Sequence, residues 1–114
     1  MSKPCKACVI HCIDYRIQEM VDRLLRSLDI RFGDFDRVSI AGGASPRNDT
    51  IVSLELSGEL HSPSVFILTA HEDCGAGTTL EDLRKVLADV RRAFPDKQVS
   101  AFWVKLNWSW DEVS

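Results

Sequence analysis

Two short segments hold the residue types that do chemistry: Cys12-Ile13-Asp14-Tyr15-Arg16 and His71-Glu72-Asp73-Cys74-Gly75. Each follows an apolar run that reads as a buried strand, Ala7–Ile13 before the first and Val65–Ala70 before the second. Adjacent strands would bring Cys12, His71 and Cys74 to one point. Two thiolates, one imidazole and an open fourth position make a catalytic zinc site. Bound water then ionises near neutral pH, less readily than in an all-histidine site because thiolates donate strongly. Each of the three residues alone is ordinary, a small buried hydrophobe or a loop histidine; at two strand ends together they read as ligands. Asp14 and Arg16 share a face if the chain stays extended past Cys12. Arg16 can then clamp the Asp14 carboxylate with two parallel hydrogen bonds. The competing reading is an ion pair at a helix start.

The elements that must position these residues alternate between strand and helix. Ile17, Met20, Val21, Leu24, Leu25 and Leu28 recur at three- and four-residue steps and predict a helix from Arg16 to Leu28. Arg31–Asp36 reads as a turn around Gly33, Arg37–Ala41 as a strand, and Gly42-Gly43 as its break. Asp49 to Leu60 reads as a helix with Ile51, Leu54 and Leu56 inward, ended near Gly58. Thr79 with Asp82 marks the start of another, with Leu80, Leu83, Val86, Leu87 and Val90 on one face. Val99–Leu106 reads as a fourth strand, and Asn107–Ser114 as a tail with two tryptophans. The expected fold is a single α/β domain over residues 1–114, with a mainly parallel sheet of about four strands and helices on both faces. Sites in such folds gather beyond the carboxyl ends of the strands.

With those residues in place, the chain resembles the β-carbonic anhydrases. That family carries Cys-x-Asp-x-Arg at the end of its first core strand and His-x-x-Cys-Gly at the end of a later one. Gly33-Asp34 and Ile40-Ala41-Gly42-Gly43 resemble its intermediate stretch. The resemblance runs from Val9 to Leu106. It implies one zinc per chain on Cys12, His71 and Cys74, an Asp14–Arg16 catalytic dyad, and zinc hydroxide attacking carbon dioxide to give bicarbonate. It also implies a closed form in which Asp14 becomes a fourth ligand, and a homodimer or higher homo-oligomer. Tyr15 stands where the family usually has a small residue, and Ser39-Ile40 replaces its usual Arg-Asn. The helical arm and C-terminal elements that many members use in their dimer have no counterpart in the sequence. Relatives on this scaffold hydrolyse carbonyl sulfide or carbon disulfide with the same ligands. A non-catalytic, zinc-stabilised binding module is the alternative of a different class.

The remaining features constrain partners. The 114 residues are 45% hydrophobic and 27% charged, with a net charge of −3. The pI of about 5.5 argues against a nucleic-acid partner. No run is long enough to span a membrane, and the start lacks a signal peptide's apolar region, so the expected location is cytoplasmic. Four cysteines there read as thiols or ligands rather than disulfides. Cys5-Lys6-Ala7-Cys8 precedes its strand, which disfavours a thioredoxin-like redox pair. Cys8 reads as a strand residue alternating with Ile10 and Cys12, and Cys5 as a free thiol. Gly42-Gly43-Ala44 lacks the Gly-Lys-Ser/Thr element of a P-loop. Its expected role is close backbone approach to the pocket, with Gly42 and Gly43 as substrate-side candidates. His11 reads as a packed histidine, His61 as a loop residue, and Glu72 and Asp73 as solvated carboxylates or proton relays.

Overall fold

A computed structural model describes residues 3–114. Five strands form one sheet: β1 (Ala7–His11), β2 (Phe35–Ser39), β3 (Val65–His71), β4 (Gln98–Val104) and β5 (Trp110–Val113). Their spatial order is β2-β1-β3-β4-β5. The first four are parallel, and β5 runs antiparallel to β4. The crossovers carry helices α1 (Gln18–Ser27), α2 (Thr50–His61) and α3 (Leu80–Ala93). Among the described residues, no helix is long and apolar enough to cross a membrane.

The core lies in two layers, one on each sheet face. Ala7, Val9, Ile67, Phe102 and Val104 pack against Met20, Val21, Leu24 and Leu25 of α1. Cys8, Ile10, Phe66, Leu68 and Ala101 pack with Leu54 of α2 and Leu83, Val86, Leu87 and Val90 of α3. β1 is buried along its whole length. A strand with helices on both faces has no polar side to present, which is why it reads as a continuous apolar run.

Several expectations are corrected in detail. β1 ends at His11, and Tyr15–Ile17 form a short 3₁₀ turn before α1. Cys12 therefore leaves strand parity and joins the α1-side layer rather than that of Cys8 and Ile10. β2 covers Phe35–Ser39, earlier than the expected Arg37–Ala41. α2 runs through Gly58 to His61 and ends where Ser62 adopts a left-handed φ of 43° ahead of Pro63. Leu54 is buried and Ile51 half-buried, but Leu56 is 54% exposed. Residues 54 and 56 differ by about 200° around a helix, so both cannot face inward. The expected tail is strand β5, in register with β4 from Val104↔Trp110 to Ala101↔Val113. The turn between them is fixed by Lys105 N donating to Ser109 O at 2.9 Å and by a left-handed Trp108, φ 68°.

α3 starts where the capping pair predicts. Asp82 N donates to Thr79 Oγ1 at 3.1 Å, and Thr79 N donates to Asp82 Oδ2 at 3.0 Å. Thr79→Ala removes the side-chain half of this box. Urea unfolding is expected to show a loss of about 1 kcal/mol; an unchanged midpoint would mean that the cap adds nothing to the packed helix.

Candidate metal centre

The four parallel strands end at one edge of the sheet, and the ligand-type residues meet there. Cys12 follows β1 directly and is 4% exposed. His71 is the last residue of β3 and is 1% exposed. Asp73, with φ 55°, turns the chain so that Cys74 comes back beside His71. One ligand atom from each of Cys12, His71 and Cys74 lies within 4.8 Å of the others.

The protonation pattern of His71 follows from its contacts. Nδ1 is 2.8 Å from the Glu72 carbonyl oxygen. A carbonyl only accepts, so Nδ1 carries a proton, and in the neutral ring the lone pair is on Nε2. His71 Nε2 is buried and has no hydrogen-bond partner among the described residues. A lone pair left in this state costs about 1–3 kcal/mol unless something occupies it. Here it is grouped with two sulfurs, a donor set that fits a tetrahedral metal ion.

Backbone groups hold the two thiols. Gly42 N donates to Cys12 Sγ at 3.3 Å. Burial raises the Cys74 thiol, but hydrogen bonds from the Thr78 and Ala76 N–H groups and from the Cys12 and Thr78 side chains together outweigh it and leave the pKa below its ordinary value. Gln18 Nε2 donates to the carbonyls of Cys12 and Asp14, at 3.0 and 2.8 Å, and fixes the turn after β1. Thr78 Oγ1 donates to Gly42 O at 2.9 Å and couples the glycine turn to the Cys74 loop. Gly43 meets the sheet directly. A Cβ there would lie 2.6 Å from the Thr69 carbonyl oxygen and 3.1 Å from Cys12 N. The glycine turn therefore packs closely on the strand ends, and its observed side-chain contact on this side is with the Cys12 thiol.

Asp14 and Arg16 come together by a different route from the one expected. The chain is not extended after Cys12. Asp14 caps the 3₁₀ turn, accepting from Arg16 N on Oδ1 at 2.8 Å. Arg16 Nη2 donates to Asp14 Oδ2 at 2.7 Å, and Nε donates to Oδ1 at 3.1 Å. The Arg16 side chain is the main reason that the Asp14 carboxyl is held down to about 2. The residue that caps the turn is thus also an ionised carboxylate. Its Oδ2 lies 3.7 Å from His71 Nε2.

Asp73 and Glu72 have assigned contacts. Arg16 Nη1 donates to Asp73 Oδ2 at 3.1 Å, and Nη2 donates to the Asp73 carbonyl at 3.0 Å. Glu72 Oε1 accepts from Leu106 N at 2.7 Å. The roles of Gln18, Thr78 and Asp73 had no motif to announce them; only the position of Asp73 between two ligands was a signal. His11 is a packed histidine as expected, with Nδ1 2.8 Å from Cys12 O and Arg37 Nε donating to Nε2 at 2.9 Å. Tyr15 is 86% exposed.

The sequence matches the profile of the family described as "Putative carbonic anhydrase" over residues 2–114. Among curated proteins none is significantly similar to it. Solved structures share the fold. A carbonic anhydrase from Streptococcus mutans superposes with a TM-score of 0.74 at 19% identity, covering 98% of this chain and 84% of that one. A carbonic anhydrase from Glaciozyma antarctica gives 0.76 at 17% identity, with the same coverages of 98% and 84%. A carbon disulfide hydrolase gives 0.71 at 16% identity, covering 94% of this chain and 77% of that one. Sequence profile, mainly parallel sheet and strand-end Cys-His-Cys cluster agree, and the chain belongs to this carbonic anhydrase family.

Proposed function

We propose that the protein is a zinc lyase that reversibly hydrates carbon dioxide to bicarbonate. The observation that carries this reading is the buried, partnerless Nε2 of His71, grouped with two thiols and 3.7 Å from an ionised carboxylate. Cys12, His71 and Cys74 would hold one zinc. Zinc in such a set keeps a fourth position for water and lowers the pKa of that water toward neutrality.

The protein's own groups have distinct tasks in this reading. The N–H groups of Gly42, Ala76 and Thr78 support the thiolate charges. The Glu72 carbonyl keeps the His71 proton on Nδ1, so that Nε2 is free to ligate. Asp14 Oδ2, beside the cluster, would accept a hydrogen bond from water or hydroxide held there and so orient it. Arg16 keeps Asp14 ionised and holds it beside the metal position. Released from Arg16, Asp14, whose Oδ2 is 3.7 Å from His71 Nε2, could serve as a fourth ligand to a bound zinc and close the site.

A second reading is favoured by one finding, the likeness to a carbon disulfide hydrolase. The ligand set serves either substrate, and carbonyl sulfide equally. Assays of the zinc-loaded protein with carbon dioxide and with both sulfur substrates separate these activities. Zinc retained with no turnover of any of them would instead support a zinc-stabilised binding module.

We also infer that copies of the chain associate, and that the active protein is a homodimer or larger. Ile13 and Tyr15 flank the metal centre and are exposed, as is Trp108, under which Arg23 of α1 stacks at 4.9 Å. A second apolar strip, Val52, Leu56 and Leu60, lies on the outer face of α2. One structural neighbour, from Sordaria macrospora, is described as a tetrameric β-carbonic anhydrase. Sedimentation should show a dimer or larger at tens of micromolar. A monomer with full activity would overturn this.

Zinc analysis of Cys74→Ser is expected to show loss of most of the metal from this centre, whereas Cys5→Ser and Cys8→Ser leave that zinc in place. Full retention in Cys74→Ser would overturn the ligand assignment.

Asp14→Asn should keep zinc and lose roughly 10²–10⁴-fold in hydration rate, and Arg16→Ala should act in the same direction. Equal rates for Asp14→Asn and parent from about pH 6 to 9 would reduce the pair to a structural cap. The pH dependence of stability has a definite sign. The folded pKa of Asp14 is depressed to about 2. Its contribution is complete above the ordinary carboxylate value of about 3.9 and is lost as pH falls through about 2. The stability advantage of the parent over Asp14→Asn should therefore be constant from about pH 5 to 7 and shrink below about pH 4. Urea midpoints measured across that range check it.

A further inference from the structure

Three more ligand-type side chains meet at the opposite edge of the sheet. Cys5 lies two residues before β1, Asp36 is the second residue of β2, and His61 ends α2. One ligand atom from each lies within 4.8 Å of the others, and all three residues are half-buried. None is shared with the centre formed by Cys12, His71 and Cys74.

The cluster is tied together by its own bonds. Cys5 N donates to the His61 carbonyl at 3.0 Å. His61 Nδ1 is 2.7 Å from Asp36 Oδ2, and Ser57 Oγ donates to the same oxygen at 2.6 Å. Among the described residues, Asp36 Oδ1 accepts no hydrogen bond. A cleft of about 330 Å³ opens over the group, lined also by Lys3, Gly33 and Phe35, so an ion has a path in.

Cysteine, histidine and aspartate could also describe a nucleophile, a base and an orienting acid. The charges argue against that. A carboxylate beside a thiol disfavours the thiolate that a nucleophile requires. Lys6 and Arg37 are engaged elsewhere, Lys6 Nζ donating to Asp29 O at 2.9 Å and Arg37 bonding His11 and Asp22, so of the described lysines and arginines only exposed Lys3 lines the cleft. A cation placed among the three donors is attracted by the carboxylate and stabilises the thiolate. One sulfur, one imidazole nitrogen and one carboxylate oxygen suit zinc-like ions and not magnesium or calcium. Cys8, the other half of Cys-x-x-Cys, is buried in the core and outside the cluster.

We propose that Cys5, Asp36 and His61 form a second divalent-metal site, at the amino edge of the sheet. A bound ion would join three separate parts of the chain: the segment before β1, edge strand β2 and the end of α2. With three half-exposed donors, it should bind more weakly than the buried centre.

Cobalt titration of the metal-free chain tests this. In Cys12→Ser/Cys74→Ser, which lacks the thiols of the first centre, one cobalt should still bind with a thiolate-to-cobalt absorption band. Adding Cys5→Ser should abolish the band, His61→Ala should weaken binding at least tenfold, and Cys8→Ser should change neither. Zinc and cadmium should displace the cobalt, and excess magnesium should not. A folded Cys12→Ser/Cys74→Ser protein without the band, or a band that survives Cys5→Ser, overturns the proposal. If that double variant does not fold, native mass spectrometry with cadmium decides. The parent should bind two ions and Cys5→Ser one, and a parent that saturates at one overturns the site.

Discussion

β1 and β3 lie side by side, parallel and almost wholly buried, and the position of the Cys-His-Cys cluster depends on that pairing. The register sets Ile10 opposite Leu68. Cys12 then comes two residues beyond one partner and His71 three beyond the other, at the same edge. Apolar side chains on both faces of β1 confine it to the middle of the sheet. A slip of one residue would exchange the two core layers, at the cost of packing on both sides. The pairing is therefore strongly specified, and so is the meeting of sulfur with imidazole. The core around it holds a buried nitrogen without a partner, a local cost that an ion in the cluster would offset.

Arg16 then links the two halves of the Cys-His-Cys cluster. It bonds Asp14 in the first motif and both the side chain and carbonyl of Asp73 in the second. Asp73 sits between His71 and Cys74, so the guanidinium spans from the turn after β1 to the loop after β3. Its five donors in a rigid fork suit this geometry, and a lysine could not reproduce it. The same contacts that keep Asp14 ionised also position the Cys74 loop. Charge and geometry are inseparable here, and a change at Arg16 would disturb both.

What was legible in the sequence follows from which physics acts locally. The apolar runs of β1 and β3 and the Thr79/Asp82 cap are patterns in neighbouring residues, and they read correctly. The strand-end grouping of Cys12, His71 and Cys74 was legible because parallel topology carries strand ends to one edge. β5 was not, because it is short and stabilised by pairing with β4 across a turn built on Asn107 and Trp108. Leu56 was misplaced because α2 has apolar residues all round, and only the sheet decides which side is inward. The path after Cys12 was not legible, because Asp14 caps a turn there by accepting from Arg16 N, a backbone choice that no apolar pattern signals. The grouping of Cys5, Asp36 and His61 spans three elements with no common motif, so only the fold displays it.

The way in which the donors are anchored bears on the choice between an enzyme and a zinc-stabilised module. Where zinc builds a fold, its ligands are usually disordered without it, and four protein donors close the coordination sphere. Here each of the three side chains is also held by protein contacts: Gly42 N to Cys12, the Glu72 carbonyl to His71, and the loop N–H groups to Cys74. The sheet beneath them has its own two-layer core. The fourth neighbour, Asp14, is kept from the metal position by an arginine rather than committed to it. Three protein donors, with a carboxylate held beside them by arginine, would leave a fourth position on a bound ion for an exchangeable ligand. Structural zinc has no use for such a position, and hydration of a small electrophile requires one. The anchoring therefore favours the catalytic reading, on grounds independent of the family to which the chain belongs.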